Sequence, residues 1–119
     1  MELQECESKL LDDIAYVEQI VVGAALHANA NILGKFFHKF SPHGVTGIVS
    51  IAESHISIHT WPEFRYAAAD IFTCGKSLKP KLAAEFLIEH FNSNKPHLRE
   101  LKRGRIPNTA STPLTAIEG

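Results

Sequence analysis

The sequence predicts an α+β fold: a two-layer sandwich in which one mainly antiparallel sheet carries two helices on one face. Three observations lead there. Apolar residues recur at three- and four-residue steps in two stretches, and alternate with polar ones between them, so helical and strand periods are segregated along the chain. The alternating runs are joined by short connections, which suit hairpins and cannot hold a parallel crossover of a dozen or more residues. With 119 residues, 45% hydrophobic and 21% charged, the chain can bury one core and hardly two. Residues 1–104 are read as that single domain, and 105–119, polar with Pro107 and Pro113, as a loose tail.

The first helix is expected from about Lys9 to Ala28. Leu10, Ile14, Val17, Val21 and Ala24 fall on one face, Ser8 is a candidate N-cap, and Asp12 and Asp13 suit the positive end of the dipole. A strand-like run follows from Asn31 to Phe40, with Phe36, His38 and Phe40 on one face and Leu33, Lys35 and Phe37 on the other. Ser41-Pro42-His43-Gly44 is a turn signal. Val45–Ala52 is β-branched and apolar and reads as a buried strand. His55-Ile56-Ser57-Ile58-His59 alternates strictly, with the isoleucines on one face. Pro62 interrupts, Tyr66–Cys74 resumes as a strand, and Gly75 ends it. Pro80 is placed for a first helical turn, and Leu82, Ala83, Phe86, Leu87 and His90 make the inner face of a second helix to about Phe91. Residues 97–103 suit a last short strand.

A net charge of −1 argues against a general electrostatic grip on nucleic acid or anionic lipid. No run of 18 apolar residues offers a membrane span. Residues 1–60 hold seven acidic and three basic side chains, residues 61–119 six and nine, which leaves attraction between subunits and a plain solvated surface both open. Two cysteines make no disulfide framework, and the acidic start MELQECESKLLDD has no apolar leader core, so a cytoplasmic protein with reduced thiols is expected.

Seven histidines, four of them between His38 and His59, invite a metal reading. His55 and His59 have the i, i+4 spacing of a helical zinc pair, but Ile56-Ser57-Ile58 is strand-patterned, and four strand steps put the imidazoles roughly 13 Å apart. A zinc site from His38, His43 and a third group stays open on the residues alone, and no metal is assigned. Cys74, between Thr73 and Gly75, is either a thiol presented at a strand end or an inert core cysteine, while Cys6 reads as structural only. Glu53-Ser54-His55 is a polar run between two strands that a plain hairpin tip also explains.

The string Ile51–Pro62 (IAESHISIHTWP), followed by Tyr66-Ala67-Ala68 and Phe72-Thr73-Cys74-Gly75, resembles the prokaryotic S-adenosylmethionine decarboxylase proenzyme family, small self-processing pyruvoyl enzymes of spermidine synthesis. The match is tight over residues 38–75 and looser on either side. The resemblance implies autocatalytic cleavage between Glu53 and Ser54. It makes Ser54 the precursor of a pyruvoyl cofactor that holds the substrate as a Schiff base, His59 the proton-transfer group of processing, and Cys74 the proton donor in turnover. Thr46 stands where the family commonly has Ser and would support processing. Phe40, Trp61 and Glu63 would bind the substrate, the aromatics beside adenine or the sulfonium and the carboxylate on the ribose hydroxyls. The resemblance also implies a homodimer of processed protomers acting on a small molecule. The residue types suit these tasks: imidazole titrates near neutrality, and a thiol of ordinary pKa ~8.5 is protonated and can serve as an acid.

Some positions depart from the family pattern. Pro62-Glu63-Phe64-Arg65-Tyr66 stands where Pro-Glu-Tyr-Gly-Tyr is common, His43 where Gln is frequent, and Met1–Leu3 represent only the end of a long apolar first strand. Arg65 is expected to set a fixed cation beside the substrate strand. Two other readings follow: a decarboxylase of the same fold acting on arginine or ornithine, and an unprocessed, non-catalytic partner subunit. Intact Ser54, His59 and Cys74 speak against the second.

Overall fold

Alternation along the middle strands decides which side of the sheet the helices cover. The computed structural model describes residues 1–52, 54–74, 78–103 and 114–118. Its elements run β1 (Glu2–Gln4), α1 (Ser8–Leu11), α2 (Ile14–His27), β2 (Ile32–Lys39), β3 (Val45–Ile51), β4 (Ser54–Trp61), a 3₁₀ turn (Pro62–Phe64), β5 (Tyr66–Thr73), α3 (Pro80–His90), β6 (Lys95–His97), β7 (Arg99–Arg103) and β8 (Leu114–Glu118). The strands form one sheet in the order β2-β3-β4-β5-β1-β6, with β8 beside β5 and β7 beside β8. Each of these pairings is antiparallel. This is the α+β sandwich that the sequence predicts.

The core lies between the sheet and two helices. Val45, Val49 and Ile51 of β3, Ile56 and Ile58 of β4, and Ala67, Ala69 and Ile71 of β5 are buried with Val17, Val21 and Ala24 of α2 and Ala83 and Leu87 of α3. Each large aliphatic side chain removed from water contributes about 1.5–3 kcal/mol, so this one face dominates the stability. The helices approach closely at Gly23, where an added Cβ would meet the Phe86 ring at 2.8 Å. Among the described residues no helix packs on the other face of the sheet. Phe36, Phe40, Ile48 and Trp61 stand exposed on it.

The structure departs from the expected elements in several places. The helix expected over 9–28 is two helices, because Asp13 leaves the helical region (φ −100, ψ 102) and its side chain accepts from Tyr16 N to start α2 afresh. Ser8 is not a cap: Glu7 precedes α1, and Ser8 Oγ donates to Pro62 O at 2.8 Å. β3 is buried on one face only, with Ile48 and Ser50 exposed. The single late strand expected over 97–103 is β6 and β7. Leu114–Glu118, expected in a loose tail, pair with both β7 and Ile71–Thr73 of β5. β1 covers β5 only near Ala67 and Ala68, so the last residues of β5 would otherwise leave backbone groups unpaired. Among the described residues no helix is long and apolar enough to cross a membrane.

Candidate active site

Strand register builds two clusters at opposite ends of β4. The first surrounds Ser54. Ile51 pairs with Ser54, so β3 and β4 are joined by the two residues 52 and 53. On the other side, His55 pairs with Phe72, which brings Ser54 level with the end of β5 and with Cys74 just beyond it. Ser54 Oγ accepts a hydrogen bond from Cys74 N at 3.1 Å. Ser54 is buried and Cys74 half-buried with a free thiol. Asn29, Asn31, Ala52 and Leu78 join them around a cavity of about 100 Å³. Glu53 and Gly75 lie outside the described residues.

The second cluster is a cavity of about 370 Å³ lined by Phe40, His43, Thr46, His59, Trp61 and Glu63, with Gly44 and Thr60 in its wall. The pairings His38–Thr46 and Thr46–His59 set these side chains in one row on the open face. Thr46 Oγ1 and His59 Nδ1 are 2.9 Å apart. Whichever way that proton points, the bond fixes the imidazole and leaves Nε2 for other chemistry: as a donor if Thr46 donates, as a base if His59 does. Trp61 packs between His59 and Tyr66, with ring centroids 6.3 and 5.4 Å away. Phe40 meets His38 edge-on at 4.6 Å.

Hydrogen bonds, those of Thr60 buried, hold the walls. Thr60 Oγ1 accepts from Val45 N at 2.8 Å and donates to Leu11 O at 2.8 Å, tying β4 to β3 and to α1. Asp12 Oδ1 accepts from Gly44 N at 2.9 Å and pairs with Lys39 at 2.9 Å. The Gly44 N–H, then Lys39, hold the Asp12 carboxyl below its ordinary pKa. Gly44 has φ +108, which favours glycine, and an added Cβ would sit a tight 3.1 Å from Thr60 O.

The structure thus groups Ser54 with Cys74, and Thr46, His59, Phe40, Trp61 and Glu63 with one another. It does not bring the two groups together within one chain. Ser54 and His59 are five strand residues apart, about 16 Å, with side chains on opposite faces. Arg65 is not a free cation beside the substrate strand. It takes a left-handed conformation (φ 54), and its guanidinium donates to Cys6 O at 2.8 Å and Glu5 O at 3.5 Å. Sequence reasoning left His43 without a role, yet its Nε2 lies 2.9 Å from Glu63 Oε2. It also missed Asp12, Thr60, Asn29 and Asn31, whose placement depends on contacts distant in sequence. Among the described residues no three or more His, Cys, Asp or Glu side chains gather as a metal site.

Known proteins share both the sequence and this architecture. A family model described as S-adenosylmethionine decarboxylase matches residues 1–104. The chain belongs to the S-adenosylmethionine decarboxylase family. The S-adenosylmethionine decarboxylase proenzyme of Thermodesulfovibrio yellowstonii is 49% identical over 89% of this chain and 78% of its own length. That of Pelotomaculum thermopropionicum is 51% identical over 91% and 86%. The crystal structure of the adenosylmethionine decarboxylase from Aquifex aeolicus superposes with a TM-score of 0.84 at 31% identity, covering 93% of this chain and 92% of that one. The protein is therefore an enzyme of this family, and its relatives are named as proenzymes.

Proposed function

We propose that the chain cuts itself between Glu53 and Ser54 and then decarboxylates S-adenosylmethionine, supplying the aminopropyl donor of spermidine synthesis. The observation that carries this reading is the Ser54 hydroxyl, buried at a tight hairpin and held 3.1 Å from the Cys74 backbone in a small cavity. In the cut, Ser54 Oγ attacks the Glu53 carbonyl, and the peptide becomes an ester. Elimination releases residues 1–53 as a carboxylate. Water then replaces the residue 54 nitrogen, ammonia leaves, and a pyruvoyl group remains. A group of that size fits the Ser54 cavity, which has polar lining from Asn29, Asn31 and Cys74. When formed, it supplies an electrophilic carbonyl that holds the substrate amine and takes up the electrons released with carbon dioxide. Cys74 then holds at Sγ the proton that replaces the lost carboxylate.

Phe40 and Trp61 would flank the adenine, and Glu63 would accept from the ribose hydroxyls, all within one cavity. That set suits a nucleoside better than arginine or ornithine. His59, fixed by Thr46, would move the proton of processing. Because these groups and Ser54 lie at opposite ends of β4, the working site needs a second copy, and the exposed apolar residues of the open sheet face suit such a homodimer. The same reading puts the enzyme in the cytoplasm, where its thiols stay reduced.

Denaturing mass spectrometry of the purified protein tests the first step. Two pieces are expected, residues 1–53 and 54–119, the second blocked at its N-terminus, while Ser54→Ala stays whole and inactive. An intact wild-type chain after prolonged incubation overturns the reading. Carbon dioxide release compared among S-adenosylmethionine, arginine and ornithine tests the second.

A further inference from the structure

A carboxylate that takes two ribose hydroxyls must hold its two oxygens toward the diol, and a glutamate on a surface turn is free to turn away. Glu63 sits on such a turn, its side chain 36% exposed. We infer that His43 is the residue that positions Glu63 for the ribose, an inference that rests on the function proposed above.

The geometry carries this from both sides. His43 Nε2 and Glu63 Oε2 are 2.9 Å apart. An ionised carboxylate can only accept, so Nε2 carries the hydrogen and His43 is the donor. A carboxylate has about four acceptor positions. The imidazole uses one and leaves enough for a vicinal diol, so the pair does not compete with substrate. The two residues come from different turns, each tethered. The His43 turn is closed by Phe40 N donating to Gly44 O at 2.8 Å and tied to Asp12 through Gly44 N at 2.9 Å. The Glu63 turn is closed by Arg65 N donating to Pro62 O at 3.1 Å, and its Pro62 carbonyl accepts from Ser8 Oγ. The bond from His43 to Glu63 thus joins two anchored turns in the lining of the Phe40–Trp61 cavity. Fixing a flexible glutamate before binding removes rotamer entropy that the ligand would otherwise have to overcome.

A glutamine at position 43 would also present a side-chain amide donor of similar reach. The role therefore asks for a donor of this reach and not for a titrating group. Alanine or leucine removes it, and glutamine keeps it.

The test is calorimetric binding to the full-length protein of two probes. 5′-Methylthioadenosine carries both ribose hydroxyls, and 2′,3′-dideoxyadenosine carries neither. Loss of one charge-assisted contact is expected to weaken methylthioadenosine about 5- to 30-fold in His43→Ala and in His43→Leu, which keeps bulk. His43→Gln should stay within about threefold of wild type, and dideoxyadenosine should bind every variant equally well. Glu63→Gln should weaken methylthioadenosine, and adding His43→Ala to it should weaken it no further, because the histidine acts only through that carboxylate. Two results overturn the inference while leaving the proposed function intact: unchanged methylthioadenosine binding in both donor-free variants, or equal weakening of the two probes. A wild-type protein that binds neither probe, or does not prefer the hydroxylated one, overturns the ribose assignment of Glu63 and the inference with it.

Discussion

Thr60 shows how much of the site depends on one hydroxyl. It is buried between β3, β4 and α1, and its single oxygen satisfies both the Val45 N–H and the Leu11 carbonyl. Thr60→Val keeps the shape and strands both groups, so a loss of about 1–3 kcal/mol is expected in urea unfolding. Tyr66 offers a test by pH. Burial first, then its hydrogen bond to Glu2 at 2.7 Å and that carboxylate's charge, push its phenol from 10.0 up to about 12. The unfolded chain therefore loses this proton before the folded one does. The contribution is whole below pH 10 and fades as pH rises through about 12. Tyr66→Phe should flatten that alkaline decline, seen as a midpoint that changes less between pH 9 and 11. Neither residue was legible in the sequence for these roles. Thr60 has a hydroxyl like many strand threonines, and Tyr66 was visible only as part of a motif. His59 could be read because the dense string Ile51–Pro62 contains it, and Thr46 because the resemblance extends over residues 38–75, whereas His43 needed its partner twenty positions away.

Elements came through where the pattern was local and strong. β4 and α3 needed only the alternation around Ile56 and Ile58 and the Pro80 start. The first helix reads as continuous in sequence because Leu10 and Ile14 keep the helical step across a break that only Asp13's backbone reveals. β8 was not legible: Leu114–Glu118 is only five residues at the end of a polar, proline-bearing stretch, and its pairing partners β5 and β7 are set by the sheet. The break between α1 and α2 frees Asp12 to hold the β2–β3 turn. Its lowered pKa means that its stabilisation is complete above the ordinary carboxylate value and is lost as pH falls below it. Asp12→Asn still accepts from Gly44 but loses the charge facing Lys39. Its unfolding midpoint should therefore lie below wild type at pH 7, and the gap should narrow as the pH is lowered through the carboxylate range. A gap independent of pH would mean that the charge is not what stabilises the turn.

At the scale of the whole molecule, the separation of Ser54 from His59 makes a genetic prediction. Co-expressed Ser54→Ala and His59→Ala chains each lack one group, but a mixed dimer with shared sites has one complete set. Cleavage of the His59→Ala chain should appear only in the mixture. No cleavage there would mean that each chain must supply both groups itself. The order of the sheet has a separate consequence. β1 lies upstream of the proposed cut, yet it is inserted between β5 and β6, both downstream; β3 and β4 pair across the cut itself. Once the bond opens, neither piece can leave as a folded body. What was one chain becomes a two-component complex, and unfolding it is also dissociation, governed by mass action. Pieces 1–53 and 54–119 made separately should then find each other only by folding together, as a split protein does.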